Sequence, residues 1–208
     1  MDPTLWIAFA LASAALVAVP GPTVLLVAGY ALSQGRRVAA ASALGVALGD
    51  FAAMSASLAG LGALVMASAA AFTVLKWLGA AYLLWMGVRM WRSADGVEAE
   101  APGAGRHVSP RAVFGHAAAV TALNPKGIVF FVAFVPQFVD PSAPLARQFA
   151  VLVATFVGIA ALNALLWALL ADRLRAGVRR PGALRWMTRG GGAALVAMAA
   201  ATALARRA

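Results

Sequence analysis

The sequence contains no cysteine and only two histidines, His107 and His116. Disulfides, thiolate metal sites and cysteine nucleophiles are excluded, and a histidine-rich metal centre would lack ligands. Acidic residues number 7 in 208, and charged residues of both signs make up only 12%. The formal net charge is nevertheless +10, because arginine outnumbers the acids. Such a balance would suit nucleic acid only if the cations shared a solvated face with stacking aromatics. Here they fall between long apolar runs, so nucleic acid is not an expected partner. Hydrophobic residues make up 63% of the chain, well above a soluble domain, and imply a membrane protein. The start, Met1-Asp2-Pro3, is acidic where a secretory leader is basic, and the apolar run behind it is too long for a leader. No cleavage is expected.

A spanning helix needs roughly 20 apolar residues. Six stretches qualify, at about 5–32, 38–66, 72–91, 113–135, 149–170 and, shorter and alanine-rich, 190–204. The first is too long for one straight span and is interrupted at Pro20-Gly21-Pro22. The fourth is interrupted at Asn124-Pro125-Lys126. Proline lacks an N–H and disfavours helical geometry at the residue before it, so each helix should stop and restart. Asn124 is then an N-cap, and Pro125 and Pro22 open the second half-helices. Pro20 and Pro125 lie 125 − 20 = 105 positions apart, which suggests two related halves. In the second stretch, Ala41, Gly45 and Gly49 recur every fourth residue and predict close helix packing.

The stretch 92–111 is polar and carries Pro102, and predicts a cytoplasmic connector between halves of about 1–91 and 112–208. Arginines concentrate in the first, third and fifth loops, which places those loops in the cytoplasm and the N-terminus outside. Three spans per half make the halves enter the membrane in opposite senses. The expected fold is all-α and polytopic: two inverted three-helix repeats with broken first and fourth helices. Inverted repeats with paired broken helices are a secondary-transporter architecture, with the substrate site near the midplane.

Asp50 sits within the second span with no cation near it in sequence. A mid-membrane carboxylate costs roughly 2.5–3.5 kcal/mol on insertion scales and is a functional candidate by default, as proton carrier or ammonium anchor. Lys126, at the second break, is its natural partner across the halves; snorkelling or a structural role is the competing reading. Asn124 can cap a half-helix and face a ligand at once. Pro20, Gly21 and Pro22 make the first break, where freed backbone groups and the Thr23 hydroxyl offer hydrogen bonds. Asn163 and Tyr82 are weaker candidates, since residues so placed more often serve interhelical hydrogen bonding and the membrane interface than a ligand. His116 fits an interface residue.

Several motifs in order resemble the lysine exporter superfamily, and within it the homoserine/threonine-resistance branch of amino-acid exporters. They are Pro20-Gly21-Pro22, then Gly35-Arg36, Gly45 and Gly49-Asp50. Lys76-Trp77 through Gly79, Ala80, Tyr82, Leu83, Trp85 and Gly87 follow, and then Asn124-Pro125-Lys126 through Phe130-Phe131 to Pro136-Gln137-Phe138. The last two spans match only in hydrophobicity and in the basic loop between them. The resemblance implies a multi-pass exporter of amino acids or their derivatives in the bacterial inner membrane. It also implies coupling to the proton-motive force, with sodium as the alternative ion. Neither cofactor nor metal is expected, nor catalysis, and a homodimer is left open. The competing readings are a membrane-embedded enzyme, which would need a second carboxylate or a nucleophile with a base, and a non-transporting membrane subunit.

Overall fold

The computed structural model describes residues 2–19, 21–34, 36–67, 69–94, 108–140, 142–178 and 181–204. Among these the protein is all-helical, with no strand. The helices are α1 (Pro3–Ala18), α2 (Pro22–Gln34), α3 (Arg36–Ala67), α4 (Ala69–Ser93), α5 (Pro110–Ala122), α6 (Pro125–Val129), α7 (Leu145–Val178) and α8 (Pro181–Leu204). The expected connector at 92–111 lies mostly outside the described residues.

Both breaks fall where proline predicts them. The α1 and α2 axes differ by 57°, and those of α5 and the segment Pro125–Phe138 by 42°. At the second break the Leu123 and Asn124 amides close α5 on Ala119 and Thr121, and the Asn124 side chain accepts the Lys126 N–H at 3.1 Å. Pro20 lies outside the described residues.

Among the described residues, α3 over Arg37–Gly60 and α7 over Leu145–Leu169 are long and apolar enough to cross a membrane, and each bent pair adds one more such span. The described parts of α4 and α8 carry Lys76, Arg89 and Arg92, and Arg185 and Arg189, and do not meet that test.

Two boundaries differ from expectation. Hydropathy makes the basic stretch before the last span a loop, yet α7 continues to Val178 and α8 begins at Pro181. Arginine, alanine and leucine are all strong helix formers, so helix outlasts the apolar run until a proline restarts it. The second half-helix is also irregular. After five residues of α6 it widens into a π turn at Phe130–Phe134 and tightens into a 3₁₀ turn at Val135–Phe138. Pro136 explains this, since its ring would clash with the Val132 carbonyl in a regular helix and it has no N–H to donate.

Two buried clusters fix the sense of the broken helices. Phe9 and Leu16, before the first break, pack with Phe130, Phe131, Phe134 and Phe138, after the second. Leu26, Val27 and Tyr30, after the first break, pack with Val113 and Ala117, before the second. The two broken helices therefore run antiparallel.

Glycine sets the closest approaches. A Cβ on Gly49 would sit 2.6 Å from the Ala118 carbonyl oxygen, and one on Gly45 would collide with that of Phe114. The four-residue spacing thus seats α3 directly on α5. Where α4 crosses α8, a Cβ on Gly87 would meet the Gly192 oxygen at 2.7 Å and one on Gly192 the Gly87 oxygen at 2.6 Å. These two glycines are 192 − 87 = 105 positions apart, the offset that relates the two breaks.

Candidate functional site

The breaks face each other across a small cavity of about 50 Å³. A water needs roughly 10–15 Å³ of such space, so it holds a few water molecules and is too tight for a bulky solute. Leu16 and Val17 come from the end of α1, and Thr23, Val24 and Val27 from the start of α2. Val46 and Asp50 come from α3, Asn124, Lys126 and Gly127 from the second break, and Phe156, Ala160, Asn163 and Ala164 from α7.

Ending α1 at Ala18 frees carbonyls that have no helical partner. Side chains from the other half take them up. The Lys126 ammonium donates to the oxygens of Leu16 at 3.2 Å and Val19 at 3.3 Å, and the Asn163 amide donates to that of Val17 at 3.0 Å. A cation at a helix C-terminus also meets the negative end of the helix dipole. Gly21 leaves room for it, since a Cβ there would stand 3.2 Å from the Lys126 nitrogen. Asn124 adds a second tie, donating from its amide to the Thr23 hydroxyl at 3.2 Å.

Asp50 is 8% exposed and lines the same cavity. The expected direct pair with Lys126 is not formed: among the described residues no ion pair within 4.0 Å involves Asp50. The lysine is held by the α1 carbonyls instead, on the cavity that Asp50 also lines. Asp50 is the sole carboxylate among the described residues that line it, and no histidine or serine joins it there.

The structure thus brings Asp50, Lys126, Asn124, Thr23 and Asn163 together, with Gly21 beside the lysine. Pro22 and Pro125 head the two half-helices. Tyr82 is elsewhere, half-buried on α4 with its ring 5.4 Å from that of Trp85. His116 meets the buried Tyr30 hydroxyl at 3.0 Å and ties α2 to α5. Sequence reasoning missed the apolar wall of Phe156, Ala160 and Ala164. Counting back one and two turns from Asn163 along α7 would have found its first two members.

Buried apolar residues flank the cavity on both sides. Phe9, Phe130, Phe131, Phe134, Phe138 and Phe156 are all buried on the side of the α1 N-terminus, with Phe131 and Phe156 edge-on at 4.8 Å. Leu26, Val27, Tyr30 and Val113 pack together on the other side.

Broken antiparallel helices around a cavity that gathers buried polar side chains, in an all-helical membrane protein, are an arrangement found in membrane transporters. The match to the family model for LysE type translocators runs over residues 14–206, and the chain belongs to that family. A Salmonella typhi protein named homoserine/homoserine lactone efflux protein is 33% identical over 207 residues, 98% of each chain. A Vibrio cholerae membrane protein is 35% identical over 189 residues, 91% of each chain. The leucine efflux protein of an Enterobacter species is 34% identical over 128 residues, 62% of this chain and 60% of its own. No solved structure matches significantly.

Proposed function

We propose that the protein exports neutral amino acids or their derivatives from the bacterial cytoplasm by proton-coupled exchange at the cavity between the breaks. The observation that carries this is the buried Asp50 carboxylate, which faces the cavity with no direct ion-pair partner while the nearby cation is engaged elsewhere. A carboxylate in that setting is completed by a substrate ammonium or by a proton, and the two compete for it. The names of the relatives fit: homoserine and its lactone share the ammonium, whereas the lactone has no free carboxylate. An anchor common to both must grip the ammonium.

In the proposed cycle, the substrate ammonium binds ionised Asp50 from the cytoplasm. A substrate carboxylate, where there is one, draws on Lys126 and on the N–H groups that open α2. Opening outward lets a proton reach Asp50, which displaces the ammonium and returns inward with the proton. Two packed seals allow alternating access: the phenylalanine cluster outside, and the cluster around Tyr30 and His116 inside. The orientation rests on the loop arginines, with the N-terminus outside.

The halves are read as inverted repeats of about 1–91 and 112–208, spanning the inner membrane six times. Support comes from Gly87 against Gly192 and Gly21 against Lys126. Each pair is 105 positions apart and in mutual contact, as residues beside a pseudo-two-fold axis must be.

Efflux of preloaded homoserine, leucine, lysine and glutamate from proteoliposomes, with and without an inward proton gradient, tests the proposal. Gradient-stimulated efflux of the neutral compounds is expected. Efflux indifferent to the gradient would remove proton coupling, and none from folded protein would remove the transport reading.

A further inference from the structure

Helix α4 presents one long stripe to its surroundings. Val74, Trp77, Leu78, Ala81, Leu84, Trp85 and Val88 are exposed, and through Ala81 they succeed one another at three- and four-residue steps. The same stripe then changes character and continues as exposed Arg89, Arg92 and Ser93. In a membrane protein, an exposed apolar stripe is covered by acyl chains, and the point where it turns cationic marks the headgroup level. Trp85, Val88, Arg89, Arg92 and Ser93 line an open groove at that point.

The groove has an aromatic wall under one of its cations. The Arg89 guanidinium lies 5.3 Å from the centre of the Trp85 ring, and both residues line the groove. Stacking of this kind holds a guanidinium broadside and leaves its N–H edge for an acceptor. Neither α4 nor α8 contains an aspartate or glutamate. The Ser93 hydroxyl donates to its own helix, to the Met90 oxygen at 3.3 Å, so the arginines are the donors for an incoming anion.

We propose that this groove is a binding site for an anionic glycerophospholipid, distinct from the translocation cavity. The phosphate sits between Arg89 and Arg92, and one acyl chain runs down Val88 and Leu84. Continuity of the cationic groove with the apolar stripe favours a lipid over a soluble phosphate, which would use the arginines alone. Crossing helices α4 and α8 meet beside the groove through Gly87 and Gly192, so a bound lipid would brace that crossing from outside.

The test uses purified full-length protein in detergent, titrated with dioleoyl phosphatidylglycerol, dioleoyl phosphatidylcholine or glycerol 3-phosphate. Bound ligand is read by native mass spectrometry and thermal stability by unfolding. Wild type is expected to retain phosphatidylglycerol in preference to phosphatidylcholine, to gain stability from it, and to ignore glycerol 3-phosphate. Each arginine near an anionic surface contributes about fivefold, so R89Q/R92Q should weaken phosphatidylglycerol binding by roughly 25-fold. R147Q, at the opposite end of the molecule, should leave it intact. Equal affinity for the two lipids, an unaltered double variant, or an equal loss in R147Q would overturn the site. Glycerol 3-phosphate binding as tightly as the lipid would make it a soluble-anion site instead.

Discussion

The two helix breaks are counterparts in position but opposites in chemistry. At the first, Pro20-Gly21-Pro22 brings no charged side chain, and the end of α1 exposes bare carbonyls. At the second, Asn124 caps its own half-helix and Lys126 reaches across to Leu16 and Val19. One break is a set of acceptors and the other supplies the donors. If both breaks had the first pattern, two negative helix ends would face each other unsatisfied in a low-dielectric interior. The two breaks are complementary, and in the proposed cycle Asp50 is left over for the substrate.

The largest effect should come from undoing that complementarity. Lys126→Ala strands two buried carbonyls, at about 1–3 kcal/mol each, so it should unfold several degrees earlier in detergent as well as lose flux. Gly21→Leu should reproduce much of this by displacing the ammonium. If Lys126→Ala melts like wild type, the first break does not depend on the second.

Gly49→Ala comes next. Its Cβ would press on the Ala118 carbonyl, backbone that cannot swing aside, and overpacking of this kind costs about 1–3 kcal/mol. Gly60, on the same helix, has nothing within 4 Å of the place a Cβ would take, and should accept alanine without loss. Equal thermal stability of the two variants would contradict the α3–α5 seam.

Asn124→Ala should cost about 1 kcal/mol through the lost cap, and more than Thr23→Val, which removes only one partner of the bridge. The reverse order would mean that the hydroxyl, not the cap, organises the second break.

The smallest effect lies away from both breaks. Asp2 caps α1 by accepting the Thr4 and Leu5 N–H groups, and these bonds, chiefly that from Leu5, hold its carboxyl below the usual range. Because the folded value is depressed, the cap is fully present above the ordinary carboxylate pKa and is lost as pH falls through the lowered one. Amide shifts of Thr4 and Leu5 should move in that acidic window and those of Lys126 should not. Asp2→Asn should keep the cap and abolish the titration.

Much of this was legible because the informative residues act locally. Proline stops a helix by its own geometry, so both breaks could be located from sequence. Glycine at four-residue spacing announces close packing before its partner is known. The partner of Lys126 was not legible, since backbone carbonyls have no signature in sequence and a charge search finds Asp50 first. The length of α7 was missed because hydropathy marks what lipid covers, whereas helix propensity decides where the helix ends. The π turn was missed because its cause, Pro136, acts four residues upstream.

The most direct test of the central claim is gradient-driven homoserine efflux from proteoliposomes carrying wild type or Asp50→Asn at equal folded density. The asparagine removes the titrating group at nearly constant volume. The account predicts that the variant inserts and folds like wild type but no longer responds to the proton gradient. Wild-type gradient-driven flux from Asp50→Asn would contradict it.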